Sequence, residues 1–295
     1  MIKAKCKILY ALLFIYSFSL LSVAVAAPIT FNTALPVAQG NFVFREQFRW
    51  SRSNNQDQTL YSAAAISVLG YGINSDLALF GVLPYVDNRL EQSDSNNRDN
   101  QGIGDATAFA RQTLFKRDWQ GRTLRIGGVL GVTAPTGDDN KRDSNGLLPP
   151  TLQNGSGAWD SFTALVTTYQ TLHYQVSGQI SYRNNREANG LEIGDTAQLD
   201  LSWQYRVWPK ELSGGVPGFV YGVLELNALH QDKNRNNGLI NDNSGGNAVW
   251  LSPGVQYVTR RWVLEASIQT PIVRNPNGNA LENDLIVTTG FRRSF

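Results

Sequence analysis

The chain has 295 residues, with 26 Lys and Arg against 24 Asp and Glu for a formal net charge of +2, and a single cysteine, Cys6. Three of those lysines and the cysteine fall in the first 26 positions, so residues 27–295 carry 23 basic against 24 acidic side chains and no thiol. Disulfide scaffolds, thiolate zinc sites and cysteine nucleophiles are thereby excluded there, and no excess of basic charge points to nucleic acid as a partner.

Residues 1–26 read as a cleavable secretory signal. Lys3, Lys5 and Lys7 make a positive start, Ile8 to Val25 is almost wholly apolar, and Ala24-Val25-Ala26 supplies the small-residue cleavage pattern. A membrane anchor is the competing reading, because the apolar run approaches the roughly 20 residues that cross a bilayer; the flanks favour cleavage. Residues 27–40 follow as a short periplasmic or lumenal segment, too short for a separate plug domain.

From residue 41 to 295 the recurring signal is alternation of apolar and polar residues, which gives a strand one oily and one wet face. Twelve segments carry it, at 42–50, 60–71, 77–87, 106–115, 123–134, 161–171, 174–182, 197–207, 219–229, 249–259, 262–272 and 285–295. The clearest is Tyr174, Val176, Gly178, Ile180 and Tyr182 interleaved with Gln175, Ser177, Gln179 and Ser181. Most reach the roughly 9 to 11 residues that a tilted strand needs to cross a bilayer. Connections alternate between long polar stretches, at 51–59, 88–103, 135–158, 184–195, 230–247 and 273–283, and generally shorter ones, at 72–75, 116–122, 172–173, 208–217 and 260–261. Outer-membrane barrels have long outer loops and short periplasmic turns. Trp50, Tyr61, Tyr71, Tyr85, Trp203, Tyr257, Trp262 and Phe295 fall where interfacial girdles belong. The expected fold is all-β, a single antiparallel transmembrane barrel of about 12 strands in the outer membrane of a Gram-negative bacterium.

Four motifs give the chain a family resemblance: Gly102-Ile103-Gly104-Asp105-Ala106-Thr107, the run Gly127 to Asp139, Gly155-Ser156-Gly157-Ala158-Trp159-Asp160, and the terminal GFRRSF. In these it resembles the meta-pathway phenol-degradation family of outer-membrane transporters. The resemblance implies a barrel, suggests uptake of small, often apolar or aromatic, molecules, and makes Phe295 the terminal aromatic by which the barrel-assembly machinery recognises such proteins. Expected partners are outer-membrane lipids and a small-molecule solute.

Charges of lumenal parity are the candidate selectivity residues: Arg45, Arg49, Arg111, Arg125, Asp200, Arg206, Glu225 and Glu265. Rows of opposed charge can define a constriction; alternatively they pair and fill the barrel. Catalysis is a weaker reading. His173 has no serine two residues on, and His230 with Asp232 is a loop-edge pair with no nucleophile attached. The Gly-x-Gly pairs open no helix, and Asp232 to Asn243 misses the calcium-loop pattern at its glycine and at position twelve, so no cofactor or metal is called for. The expected function is a passive channel; the alternatives are a closed barrel whose outer loops bind a partner and an outer-membrane hydrolase. Glu46 and Arg293 take lipid-facing parity, and the expectation is that they approach each other where the last strand meets the first.

Overall fold

The computed structural model describes residues 26–93, 97–211 and 218–295. The signal assignment, apart from Ala26, lies outside the described residues. Twelve long strands make the wall: β1 (Phe42–Asn54), β2 (Gln58–Gly72), β3 (Leu77–Gln92), β4 (Arg98–Ile103, resuming after two residues as Ala106–Trp119), β5 (Arg122–Ala134), β6 (Asp160–Thr171), β7 (Tyr174–Asn184), β8 (Thr196–Trp208), β9 (Phe219–Gln231), β10 (Gly246–Val258), β11 (Trp262–Pro276) and β12 (Glu282–Ser294). Each pairs antiparallel with its neighbours in sequence, and β12 pairs with β1, closing the barrel. At the seam the Phe295 amide donates to the Phe42 carbonyl at 2.9 Å and the Phe42 amide returns a bond to the Phe295 carbonyl. Closure satisfies the backbone polar groups that lipid could not.

The strands run further than their hydropathy marks. β3 continues to Gln92, and Arg98–Ile103, inside the stretch read as a loop, pairs with it from Tyr85↔Ile103 to Leu90↔Arg98. Backbone ladders need no apolar side chains, so a hairpin standing in water above the membrane loses the alternation while keeping the bonds. At Gly104 and Asp105 the pairing pauses. The Asp105 carboxylate turns to accept from the Gly137 amide, the Ser156 amide and Ser156 Oγ at 2.7 to 2.9 Å. Three of the motifs that carry the resemblance thus meet in one knot at the outer rim.

The alternation sorts the wall as expected. Leu130, Ile180, Leu199 and Trp203 face outward, Leu130 with 70% of its surface bare, and the lipid around them is the solvent they suit. The inner face is mainly polar: Gln175, Gln204, Gln256, Thr168 and Ser252 are almost wholly buried. A barrel of about this strand number is narrow enough for contents to fill much of it.

What fills it is the segment ahead of β1. Residues 27–38 arc through the lumen from the periplasmic end of β10 and β11, where Ala26 packs on Val258 and Val263, past β9 and β7 to β6 and β5, where Ala34 packs on Val129, Ala164 and Val166. The chain then returns to the rim, and the Gly40 amide bonds the Gly72 carbonyl at 2.8 Å. An ideal Cβ on Gly254 would lie 2.9 Å from the Ile29 side chain, so a bare backbone on β10 makes room for this passage.

The expected approach of Glu46 and Arg293 across the seam is met only on the diagonal, with no ion pair between them among the described residues: Glu46 stands opposite Phe291 and Arg293 opposite Phe44, one lipid-facing rung apart. The Glu46 carboxylate accepts from Ser67 Oγ at 2.6 Å, and the Arg293 guanidinium lies 4.9 Å from the Phe295 ring centroid. Each charge found a partner nearer than the diagonal.

Candidate functional site in the barrel lumen

The alternation that sends apolar side chains outward delivers all eight candidate charges to the lumen, and three of them, Glu225, Arg45 and Arg111, bond the backbone of the segment there. Glu225, 1% exposed on β9, accepts from the Ile29 amide at 2.9 Å, the Thr30 amide at 3.0 Å and Thr30 Oγ1 at 2.7 Å. Arg45 on β1 donates to the Ile29 carbonyl at 2.7 Å and forms an ion pair with Glu265 of β11 at 2.6 Å. Arg111 on β4, 7% exposed, donates to the Thr33 and Leu35 carbonyls at 2.8 and 2.7 Å. Acid thus meets amide, and guanidinium meets carbonyl. An extended segment with so few hydrogen bonds of its own would otherwise carry those groups unsatisfied into the barrel.

The other four candidates lie apart. Asp200 on β8 accepts from Asn227, Gln198 and Gln179. Arg206, near the periplasmic end of β8, donates to His173 Nδ1 at 2.9 Å. Arg125 on β5 pairs with Asp118 at 2.8 Å. Arg49 stands on the lumenal side of β1, exposed, with no ion pair among the described residues. At mid-depth the acids Asp200 and Glu225 therefore sit on the β8–β9 wall, and Arg45 and Arg111 on β1 and β4.

The segment hugs the β6–β10 side and leaves the other side open. Between it and β12, β1, β2, β3 and β4 lies a cavity of about 570 Å³, lined on the wall by Ile66, Val68, Phe80, Val82 and Phe109 together with Arg45, Arg111 and Arg292. Above it, the connection from β5 to β6 folds over the outer mouth. Leu152, fully buried, and Leu148 pack on Leu90, and the Asn100 amide bonds the Leu152 carbonyl at 2.8 Å. Arg98 grips the same connection through both carboxylate oxygens of Asp143, at 2.7 and 2.8 Å, and through the Gly146 and Leu147 carbonyls.

Residues 48–277 match the family model described as "Putative MetA-pathway of phenol degradation". The chain belongs to this family. Among solved structures it is similar to the COG4313 outer membrane channel from Pseudomonas putida F1, at 18% identity and a TM-score of 0.72, over 92% of this chain and 100% of that one. A weaker likeness, to the β domain of the Bordetella autotransporter BrkA, has 15% identity and a TM-score of 0.46 over 86% of this chain and 99% of that one. No curated protein sequence matches the chain. The barrel is that of an outer-membrane protein.

For this family member, the residues that sequence reasoning passed over are the uncharged ones and one arginine. Gln47 Nε2 donates to the Ile29 carbonyl, Gln256 Nε2 to the Ala27 carbonyl, and Thr168 Oγ1 accepts from the Ala34 amide. Neutral amides and hydroxyls are ordinary lumenal residues, so nothing in their spacing announces a bound segment. Arg292 was within reach: Phe291, Arg293 and Phe295 claim the lipid side, which leaves Arg292 for the lumen. The two histidines are spoken for, His173 by Arg206 and His230 by Asn247 at 2.7 Å and Asp232 at 3.3 Å. Among the described residues no cluster of His, Asp and Glu is built to hold a metal ion.

Proposed function

We propose that the protein is a passive outer-membrane channel for small molecules with an apolar body, which pass beside the lumenal segment. The observation that carries this is the cavity itself: about 570 Å³ of space at membrane depth, walled by Ile66, Val68, Phe80, Val82 and Phe109. Side chains of that kind on the inner face of a barrel have no lipid to meet, and the removal of apolar surface from water favours a solute that covers them. The family, and the likeness to a barrel described as an outer membrane channel, support the same reading.

Ion current through the purified full-length chain in a planar bilayer tests it. Small, steady unit currents are expected, because the segment and the mouth connection leave a narrow path; absence of current would sink the reading. A closed barrel that binds a partner through its outer loops is favoured by one observation, the mouth connection pinned by Arg98, and predicts no current at all. As a hydrolase the protein would need a nucleophile against His173 or His230, whose bonds are to Arg206 and to Asn247 and Asp232.

A further inference from the structure

The cavity is one-sided in charge as well as apolar. Arg45 and Arg292 are direct cross-strand partners at the β1–β12 seam, both on the lumenal side. Like charges on opposite positions of an antiparallel pair repel, more so in a narrow space with little water. Among the described residues Glu265 is the one carboxylate that reaches this rung, bonded to Arg45 at 2.6 Å, acting on Arg292 as well, and shared with Gln47 and Gln256. It is accommodated above Gly290, where an ideal Cβ would lie 2.7 Å from its oxygen. Arg111 faces the same cavity from β4. It donates to the Thr33 and Leu35 carbonyls, which carry only dipoles, and its guanidinium lies 4.9 Å from the Phe80 ring centroid. Three guanidiniums line this space and, among the described residues, no Asp or Glu does; the nearest counter-charge, Glu265, lies behind Arg45 and outside the lining.

We propose that the solute is a small apolar carboxylate, an aryl- or alkyl-substituted monoanion, whose charged end lies toward Arg292 and Arg111 and whose body lies on Phe80, Phe109 and Val82. A guanidinium offers five donors in a planar fork, more than Arg111 spends on the segment, and bonds carboxylates in pairs. The anion lowers the repulsion across the Arg45–Arg292 rung, while the aromatic and branched side chains cover the part of the molecule that has no charge. A neutral molecule of equal size gains only the second effect. A cation of equal size meets three like charges. Both the charge pattern and the apolar wall are needed for this choice, and it rests on the channel reading proposed above.

The test uses three compounds that share one apolar body: 3-phenylpropionate, 3-phenyl-1-propanol and 3-phenylpropylamine. Each is added to the full-length chain in a planar bilayer carrying potassium chloride current, and the concentration that halves the current is read. The carboxylate is expected to act at a concentration about tenfold below the alcohol, the usual worth of one charge-assisted bond, with the amine weakest. Arg292→Gln is expected to bring the carboxylate to the level of the alcohol, and Arg292→Lys to keep part of the difference. Heat-modifiable electrophoretic mobility confirms that each variant is a folded barrel. Equal action of acid and alcohol, or an unchanged preference in Arg292→Gln, would overturn the inference while leaving the channel standing. If no current flows, the channel reading falls separately, and calorimetric titration of the detergent-solubilised protein with 3-phenylpropionate decides the inference: preferential binding supports it, and none overturns it.

Discussion

Glu46 lies between Phe44 and Phe48 on the lipid side of β1, with one hydrogen bond from Ser67 to satisfy a carboxylate in hydrocarbon. Outward-facing charge in a barrel costs stability in a depth-dependent way, less for Glu than for Arg or Lys. Glu46→Leu is expected to stabilise the folded barrel in lipid vesicles by about 1 kcal/mol, read as a higher urea midpoint; a lower midpoint would mean that the Ser67 bond outweighs the burial cost. At this scale parity was legible and partnership was not. Every candidate charge could be assigned to the lumen from alternation alone. That Glu225 would hold the amides of Ile29 and Thr30, some 195 positions away, could not, because a backbone donor has no sequence signature. The same blindness hid the partners of Glu46 and Arg293. Their faces were right, but a pairing across the seam depends on a register that one strand read alone does not give.

Among the elements, the segment 27–40 depends most on others for its shape. It has almost no bonds of its own and is held by side chains of β1, β4, β6, β9 and β10. Removing Glu225 leaves two amides and a hydroxyl without their acceptor, and each unmet buried group costs about 1–3 kcal/mol. Glu225→Ala is therefore expected to loosen the segment and to give larger, noisier unit currents than the parent chain in the same bilayer; identical currents would show that the other anchors suffice. The connection over the mouth has a different hold. The Arg98 guanidinium beside Asp143 keeps that carboxyl below the ordinary carboxylate range. The contribution of such a group is present above its unfolded pKa of about 3.9 and is lost only as the pH falls through the depressed value. Hydrogen exchange of residues 142–152, corrected for its intrinsic pH dependence, should be unchanged between pH 7 and 5 and should accelerate only below about pH 4. In Arg98→Ala it should be fast throughout. The strands themselves were legible where lipid imposes alternation and illegible where β3 and β4 rise beyond it.

For the whole molecule, the decisive bonds are those between the last strand and the first. The rungs from Val43↔Ser294 to Asn54↔Glu282 convert a sheet with two edges into a closed wall, and an open edge in lipid is not tolerated. Deleting residues 291–295 removes the periplasmic end of that seam and is expected to abolish the compact, heat-modifiable form on electrophoresis; a compact form that persists would show that the remaining rungs close the barrel. The strand number and closure were readable from alternation and loop lengths, since both follow from the membrane as solvent. The contents of the lumen follow from shape and hydrogen bonding inside it, which no periodicity records.

The placement of Asp200 and Glu225 on one wall, and of Arg111, Arg292 and the Arg45–Glu265 pair with its net excess of positive charge on the other, has a further result. Fixed charges of opposite sign on facing walls of a narrow, poorly screened space produce a field directed across the bore, not along it. A solute with a dipole would travel turned, its negative end toward β12, β1 and β4, and would present its flank to the direction of motion. The barrel would then sort molecules by how wide they are at right angles to their dipole, so that of two isomers of one mass and charge, the slimmer in that orientation passes first.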